Sequence, residues 1–335
     1  MTSGPTRSWL RATAGRRSRL RLIAILGVLL LVAALAGHTL TRPGRHRAAV
    51  GTTPEVRTFC PGSGQGPCAQ LGVLGAVLDA RAGRPDGPAA QPLSALQLNL
   101  CNSGQAACYP QLNKGRAVGE AFSAITALRP QIVTLNEICR DDVAATLYPA
   151  MVENFPDDHV FWAFQPAGDP ADSSQPYRCR NGDEYGIGIL GRIGAGNWHG
   201  VSVFNGLYPE QGGLPDELRA WLCVAAVDNY YACTTHLTYV SPTVALGQCR
   251  RLLQVEVPAM RAVVGSVAPV VVAGDLNLVP GGTPDVLTCV PAGYQQTGDG
   301  GVQQLMASGD LHVGQTRAYE MRHTDHHGWF VSFNP

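Results

Sequence analysis

Residues 270–280 place the strongest constraint on the fold of this chain. They read Val-Val-Val-Ala-Gly-Asp-Leu-Asn-Leu-Val-Pro, so an apolar, β-branched run ends at Gly274, and two short polar side chains, Asp275 and Asn277, follow it. Such a run predicts a strand that is buried on both faces. Side chains two positions apart in an extended segment point to the same side. The carboxylate and the amide are therefore expected to converge at a strand end, where a functional site or a simple Asx turn would explain them.

The first 40 residues carry an export pattern. Six arginines lie at or before Arg21, and the unbroken apolar run 22–36 follows them. A basic cytoplasmic segment, 1–21, before an apolar segment, 22–40, is typical of a signal peptide or of a transmembrane anchor. Cleavage near Ala36 would give a secreted protein. Retention would give a membrane-anchored protein whose remaining chain lies outside the cytoplasm.

The charge of the chain is unevenly distributed although its formal net charge is zero. Residues 1–89 contain twelve arginines and three acids, whereas residues 90–335 contain thirteen Lys and Arg against 22 Asp and Glu. A general nucleic-acid binder is expected to show a basic stripe or arm. The acidic balance argues against such a binder, but it allows a nuclease that uses a divalent ion and a few arginines.

All ten cysteines follow the apolar N-terminal run, which predicts disulfide bonds in an exported protein. A zinc site is the alternative, but the chain has no C-x-x-C pair. Plausible pairs are Cys60 with Cys68, Cys101 with Cys108, Cys139 with Cys179, and Cys249 with Cys289. Cys223 and Cys233 flank a predicted turn at Asp228-Asn229. A two-residue loop there would place them on opposite faces, so this bridge needs another loop length. The connectivity stays open.

Residues 41–92 are rich in Gly, Pro and Arg and are predicted to be a linker, in which 73–78 could form a short element. From residue 93 to 335, a single domain is predicted. Its strands are predicted at 95–100, 131–135, 185–190, 201–204, 222–227, 230–235, 270–274, 302–307 and 328–333, and its helices at 116–128, 141–148 and 244–264. Adjacent strands joined by short turns, together with helical crossovers, indicate an α/β fold with mixed sheets and flanking helices.

Polar side chains recur where these apolar segments end. They are Asn99, Glu137, His236, Asp275, Asn277, Asp325 and His326. Each has an ordinary explanation as a turn cap, a solvated acid, a core histidine or part of an exposed loop. Their shared position at strand ends nevertheless favours a common site.

In this order and at these strand ends, the residues resemble the endonuclease/exonuclease/phosphatase superfamily, which has the deoxyribonuclease I-like fold. The resemblance covers about 90–335. Its most specific parts are Gly274-Asp-Leu-Asn277 and Asp325-His326, followed by the motifs at Glu137 and His236. It implies a four-layered α/β sandwich in which two mixed β-sheets pack face to face between helices. It also implies hydrolysis of phosphate mono- or diesters with Mg2+, or with Mn2+ or Ca2+.

The resemblance implies a metal site in which Glu137 is the principal ligand, with Asn99 and Asp325 near the ion. Mg2+ keeps most of its waters and typically takes one or two protein carboxylates, so this set would suffice. In many members, a second carboxylate follows the first-strand Asn by two residues, whereas this chain has Cys101. Coordination is therefore expected to depend more on Glu137.

The resemblance also implies catalytic roles. Asp275 and Asn277 would orient the attacking water and a phosphate oxygen, and His236 would donate to a non-bridging oxygen. His326, beside Asp325, would be the general base or an electrostatic partner held by a carboxylate. Short side chains on rigid strand ends suit the positioning of a water.

One departure concerns the group that orients His326. Many members carry an Asp on the strand before the last motif, and Gln303 stands at that position here. Asp310 is a nearby carboxylate that could replace it. Arg178, Arg180 and Arg192 flank the strand at 185–190 and are candidate phosphate contacts, although solvated surface charge would also explain them.

The expected substrate is a phosphodiester, either DNA or a phospholipid head group, with a nuclease placed slightly ahead of a sphingomyelinase, phospholipid phosphodiesterase or phosphatase. The membrane is a further partner if the N-terminal segment is retained, and no protein partner is predicted. Two other hypotheses compete. One is a catalytically silent binding module on the same fold. The other is a zinc or copper cluster formed by His323, His326 and His327.

Overall fold

The computed structural model describes residues 56–59, 70–74, 93–213 and 216–334. The predicted segments 1–21 and 22–40 and the predicted Cys60–Cys68 pair lie outside the described residues. Within the part of the chain that is described, no helix is both long and apolar enough to cross a membrane.

The described strands form two mixed sheets of seven strands each. The first sheet contains, in spatial order, β1 (Val56–Phe59), β7 (Val201–Leu207), β8 (Ala220–Ala226), β9 (Tyr230–His236), β10 (Val270–Asp275), β12 (Gln303–Ser308) and β11 (Tyr294–Gly298). The second contains β13 (His312–Tyr319), β14 (Gly328–Asn334), β3 (Ser94–Asn99), β4 (Ile132–Cys139), β6 (Tyr185–Gly194), β5 (Asp158–Pro166) and β2 (Gln70–Leu74).

The two sheets pack face to face around a common apolar core. Ile132 and Ile189 of the second sheet lie in one buried cluster with Val203, Leu222 and Val271 of the first. Separate buried clusters fill the space between each sheet and its helices. The central strands are therefore covered on both faces, which explains why β10 is an unbroken apolar run.

Helices cover the outer face of each sheet, which completes the predicted four-layered sandwich. On the second sheet lie α1 (Ala117–Leu128) and α2 (Tyr148–Asn154), with the π-helical segment Asp142–Leu147 leading into α2. On the first lie α3 (Pro242–Arg251), the π-helical segment Leu252–Glu256 and α4 (Val257–Val264). The fold class predicted from the sequence is confirmed.

The predicted linker 41–92 contributes a strand to each sheet. β1 pairs in parallel with β7, Val56 lying opposite Val201, and β2 pairs antiparallel with β5. Both strands belong to the same compact unit as the predicted domain 93–335. Both strands are short and lie at sheet edges, where pairing of backbone groups on one side suffices and a long apolar run is not needed. The short element predicted at 73–78 overlaps the end of β2, whereas β1 was not predicted.

Four disulfide bonds lie within the described residues. They join Cys101 to Cys108, Cys139 to Cys179, Cys223 to Cys233, and Cys249 to Cys289, and no cysteine among the described residues is free. The β8–β9 loop spans 227–229, because Ala226 pairs with Tyr230. This three-residue loop places Cys223 directly opposite Cys233. Four disulfides are typical of a protein that folds in an oxidising environment outside the cytoplasm.

Candidate active site

The polar strand ends predicted from the sequence converge where the two sheets face each other. In the second sheet, β3 and β4 run parallel and carry Asn99 and Glu137. In the first, β9 and β10 run parallel, and His236 pairs with Asp275. The Asn99 amide Nδ2 spans the two sheets, donating to Glu137 Oε1 at 2.8 Å and to Asp275 Oδ2 at 3.0 Å.

A bulge in β4 turns Glu137 into the site. The register of β4 against β6 shifts between Leu135 and Ile138, and Glu137 has a φ of +52°. This left-handed conformation is unfavourable for a residue with a Cβ, and such strain often marks functional positions. Asn136 holds the bulge in place, because its Oδ1 accepts the backbone N–H of Asp275 at 2.8 Å. The bulge lets both consecutive side chains reach the site.

Glu137 is a buried acid beside a second acid. Its pKa is raised from the ordinary value of 4.5 to about 7, chiefly by burial and also by the charge of Asp275, while a hydrogen bond from Asn99 and the charge of Arg219 oppose the rise. Two carboxylates share one amide donor here. A cation would relieve the resulting excess of negative charge.

Asp275 lies at the centre of the polar network, and it is only 1 % exposed. Its Oδ2 accepts from Asn99 and, at 2.8 Å, from Gln303 Nε2, and it lies 3.5 Å from His326 Nε2. Its Oδ1 accepts the backbone N–H of Asn277 at 3.1 Å. Both oxygens are thus occupied by donors.

Asn277 follows Asp275 in a left-handed conformation, with a φ of +49°. Its Nδ2 donates to the backbone oxygen of Leu237 at 2.9 Å and so links the ends of β9 and β10. The residue lines the same cleft as Asp275 and His326. Its side chain therefore lies beside the other predicted site residues, and its role stays a prediction.

Gln303 faces Asp275 and not His326. Its Nε2 donates to Asp275, and its Oε1 accepts from Gln97 Nε2 at 3.0 Å. Asp310 does not replace the missing acid, because it accepts from Ser308 at the opposite end of β12. The carboxylates that face His326 are those of Asp275 and Asp325, at 3.5 and 3.7 Å.

The loop that carries Asp325 and His326 is anchored by a long-range tether. The carboxylate of Glu120, in α1, accepts the backbone N–H groups of Arg322 and His323 at 2.9–3.1 Å. Thr324 Oγ1 donates to the backbone oxygen of Asn99 at 2.9 Å. Asp325 contacts His326 and Thr324, and its side chain is about half exposed. The loop is therefore fixed to both α1 and β3.

The alternative histidine cluster is not formed. His323 Nδ1 lies 2.9 Å from Glu120 Oε1, whereas His326 faces Asp275. Within the described residues, the one group of metal-ligating side chains with converging atoms is Cys101, Cys108 and Glu137. These two cysteines are joined in a disulfide and offer no thiolate. Glu137 is the group at this position that can bind a cation.

Arg219 is a site residue that the sequence analysis missed. Its Nη1 lies 2.7 Å from His236 Nδ1 and 2.7 Å from Glu217 Oε1. Burial, then the charges of Arg219 and His326, hold the pKa of His236 well below its ordinary value. A signal was present in the sequence, because Glu217-Leu-Arg219 immediately precedes a strand that pairs with the one ending at His236.

The predicted phosphate contacts Arg178 and Arg180 lie beside the site. Arg178 is exposed and donates to the backbone oxygen of Gly182 at 3.4 Å. Arg180 lines a neighbouring cleft of about 310 Å3 together with Asp142. Arg192 is remote, since it pairs with Asp158 at 2.6 Å and stacks on Phe155.

A cleft of about 490 Å3 contains the polar centre. Its acids are Glu137, Asp216, Glu217 and Asp275; its other ionisable and aromatic lining residues are Arg219, His236, His326, Tyr177, Tyr185 and Tyr239. Gln105, Ala106 and Ala107 form part of one wall, in the loop closed by the Cys101–Cys108 bond. Asn99 contacts Asp275, and Asp325 contacts His326, but neither Asn99 nor Asp325 lines the cleft itself.

The arrangement of two facing mixed sheets with polar strand ends between them defines a class of α/β sandwich proteins. The chain shares its fold with the solved structure of a phosphatase, and this agrees, at the level of the fold alone, with the resemblance deduced from the sequence. No protein-family model matches this sequence, and no curated protein matches it significantly.

Solved structures provide the comparison. The chain is similar to ANGEL2, described as a 2',3'-cyclic phosphatase, with 13 % identity, a TM-score of 0.51, and coverage of 72 % of this chain and 94 % of that one. The human Nocturnin catalytic domain is 13 % identical, with a TM-score of 0.49, and the match covers 72 % of this chain and 93 % of that one. An endonuclease/exonuclease/phosphatase protein from Beutenbergia cavernae DSM 12333 is 17 % identical, with a TM-score of 0.48, and the match covers 72 % of this chain and 71 % of that one. At such identities the likeness concerns the fold.

Proposed function

We propose that this protein is an exported, divalent-metal-dependent hydrolase of phosphoric esters, acting on phosphodiester bonds. One observation carries the proposal: two carboxylates and two histidines from both sheets meet in one cleft, with Asp275 3.5 Å from His326 and Glu137 3.9 Å from His236. Polar groups gathered from separate strands onto one rigid edge are costly to bury and suit catalysis. The phosphatase described for ANGEL2 supports this reaction class.

Glu137 would hold the metal ion, with Asp275 as the adjacent carboxylate. Hard oxygen ligands of this kind suit Mg2+, Mn2+ or Ca2+. Asn99 presents its amide nitrogen to both carboxylates, and its Oδ1 accepts the backbone N–H of Cys101 at 3.1 Å. In this arrangement it orients the acids. When bound, the ion would supply positive charge to the phosphoryl group.

The remaining residues have complementary tasks. His326, held by Asp275 and Asp325, is the candidate group to take a proton from the attacking water. His236 is the candidate donor to a non-bridging phosphoryl oxygen, because its Nδ1 is occupied by Arg219 and its other nitrogen is free to serve the cleft. Asn277 would help to fix the water or a phosphate oxygen.

The lining of the cleft bears on the substrate. Four acids and one arginine line it, and Arg219 is paired with Glu217. We infer that the enzyme contacts a short stretch of substrate around one phosphate and does not track a long polyanion. Nucleic acid remains the first candidate substrate. A phospholipid head group is the second, favoured by this acidic lining and by the disulfides that are typical of an exported protein.

Hydrolysis of bis-p-nitrophenyl phosphate tests the reaction class. We expect residues 54–335 to turn over this diester with Mg2+ or Mn2+, and to lose activity with EDTA and regain it when metal is returned. His326→Ala should lower the rate about 100-fold or more, because the proton acceptor is removed. His199→Ala is the matched control, since His199 is exposed and pairs with Asp228.

The outcomes separate the hypotheses. No turnover of any phosphoester with any divalent ion would favour a silent binding module. Equal rates for wild type and His326→Ala would refute the role given to His326. Supercoiled plasmid and sphingomyelin vesicles, tested in parallel, would then distinguish the nuclease from the phospholipid phosphodiesterase.

A further inference from the structure

We propose that Arg219 is a positioning residue that holds His236 in a single tautomer, with the imidazole proton on Nε2, the nitrogen that serves the cleft. This deepens the proposed function, and it rests on that function only for its catalytic consequence. The tautomer itself is a property of the protein alone.

The geometry of the β8–β9 hairpin brings the two residues together. Trp221 pairs with Thr235, so Arg219 and His236 lie at the same end of the hairpin. The Arg219 side chain is 3 % exposed, and its Nη1 lies 2.7 Å from His236 Nδ1. This distance corresponds to a short, strong hydrogen bond.

The chemistry of the two groups fixes the direction of this bond. A guanidinium stays protonated in proteins and has only donors. The Nδ1 atom of His236 must therefore accept, and a neutral imidazole that accepts at Nδ1 carries its proton at Nε2. The hydrogen bond at one ring nitrogen thus selects the state of the other.

The arginine is itself held in place. Glu217 Oε1 lies 2.7 Å from Nη1 and is buried with it, which compensates the positive charge. The backbone of Arg219 is pinned as well, because its N–H donates to Gln211 Oε1 and its oxygen accepts from Tyr208 N–H and from Gln211 Nε2, both at 3.0 Å. The guanidinium therefore has little freedom to leave Nδ1.

The consequence concerns a phosphoryl oxygen in the cleft. His236 Nε2 lies 3.9 Å from Glu137 Oε1, too far for a hydrogen bond, so its proton is available to a substrate. In the other tautomer, Nε2 would present a lone pair to an anionic oxygen and would repel it. A donor that is already oriented needs no reorganisation when negative charge develops on the phosphoryl oxygen in the transition state.

The direct test is nitrogen NMR of the imidazoles in metal-free protein labelled with 15N-histidine, with His236 assigned by comparison with His236→Gln. We expect wild type to show the Nε2–H tautomer. Arg219→Lys should keep it, because an ammonium also has only donors. Arg219→Met should lose it, and the double variant Glu217→Gln/Arg219→Met repeats the test without a stranded buried acid.

The kinetic test uses the same variants on bis-p-nitrophenyl phosphate. Arg219→Met should lower kcat by about 10² to 10⁴, as for loss of one oxyanion donor or of the correct histidine tautomer, with little change in KM. Arg219→Lys should recover part of this loss. Arg192→Met is the matched control, because Arg192 is also partly buried and paired with an acid, 2.6 Å away.

Three results would overturn the proposal. The first is an Nδ1–H tautomer in wild type. The second is an unchanged tautomer in both the single and the double Met variants. The third is an equal loss of kcat in Arg219→Lys and Arg219→Met, which would indicate a structural role. Because the NMR readout needs neither metal nor substrate, it stands even if no phosphoester is hydrolysed.

Discussion

Asp275→Asn is expected to lower kcat for phosphodiester hydrolysis by about 10² to 10⁴, the range for loss of a positioned acid–base group. The substitution keeps the shape of the side chain but removes the charge that faces His326 at 3.5 Å. Without that charge, His326 lacks the facing anion that would offset its positive charge as it accepts a proton, and it becomes a less effective proton acceptor. The measurement is kcat on bis-p-nitrophenyl phosphate under saturating metal.

The same substitution should also destabilise the fold. Asp275 Oδ1 accepts one N–H donor, and Oδ2 accepts from both Asn99 and Gln303. An asparagine has only one oxygen, so in either orientation its NH2 group faces a donor. One such buried mismatch costs about 1–3 kcal/mol, which urea unfolding can measure.

Asp310→Asn is the matched control for this experiment. Asp310 lies at the far end of β12 beside Ser308, outside the cleft. It should leave both kcat and the free energy of unfolding nearly unchanged. Wild-type activity in Asp275→Asn would contradict the assignment of Asp275 as the centre of the site.

Glu137→Gln is expected to abolish metal-stimulated hydrolysis, by about 100-fold or more, since it removes the principal anionic ligand and the charge stabilisation that depends on it. Mg2+ or Mn2+ should raise the melting temperature of wild type and not that of the variant, because a ligand stabilises only the state that binds it. Glu153→Gln, on the exposed side of α2, is the matched control.

Although Glu137→Gln should remove activity and metal binding, it should raise the free energy of unfolding of the metal-free protein. The folded-state pKa of Glu137 is raised from 4.5 to about 7, so its contribution favours folding below pH 4.5 and is lost as pH rises through 7. The difference of about 2.5 units corresponds to roughly 3 kcal/mol at most. Glu137→Gln removes this penalty.

We therefore expect metal-free Glu137→Gln to be more stable than wild type at pH 8, with the difference shrinking toward pH 5. Urea unfolding in EDTA at both pH values measures it. A variant that is less stable than wild type at pH 8 would show that the carboxylate of Glu137 is compensated without metal, contrary to this account.

The sequence predicted the centre of the molecule better than its edges. β10 and the polar residues after it could be predicted from the sequence. A strand that is buried on both faces needs an unbroken apolar run, and functional polar side chains follow at its end. β11 and β13 are edge strands with largely polar, partly exposed side chains, held mainly by backbone pairing. Their side chains carry no periodic apolar signal.

Within the site, types of residue were more predictable than their partners. Gln303 was identified as a departure, but its contact with Asp275 depends on two sheets facing each other and not on local sequence. Arg219 was missed although the short turn at 227–229 places it near the end of β9. The bulge that directs the Glu137 side chain into the site could not be predicted from the neighbouring sequence, because it arises from the pairing of β4 with β6.

The central claim is that side chains from both sheets bind one divalent cation at Glu137. Anomalous diffraction from crystals soaked in Mn2+ tests it most directly. We predict a single strong peak about 2.1 Å from a carboxylate oxygen of Glu137, in the cleft shared with Asp275 and His326, and no such peak in Glu137→Gln crystals. A cleft without a peak at saturating Mn2+, or a peak that persists in Glu137→Gln, would contradict the account.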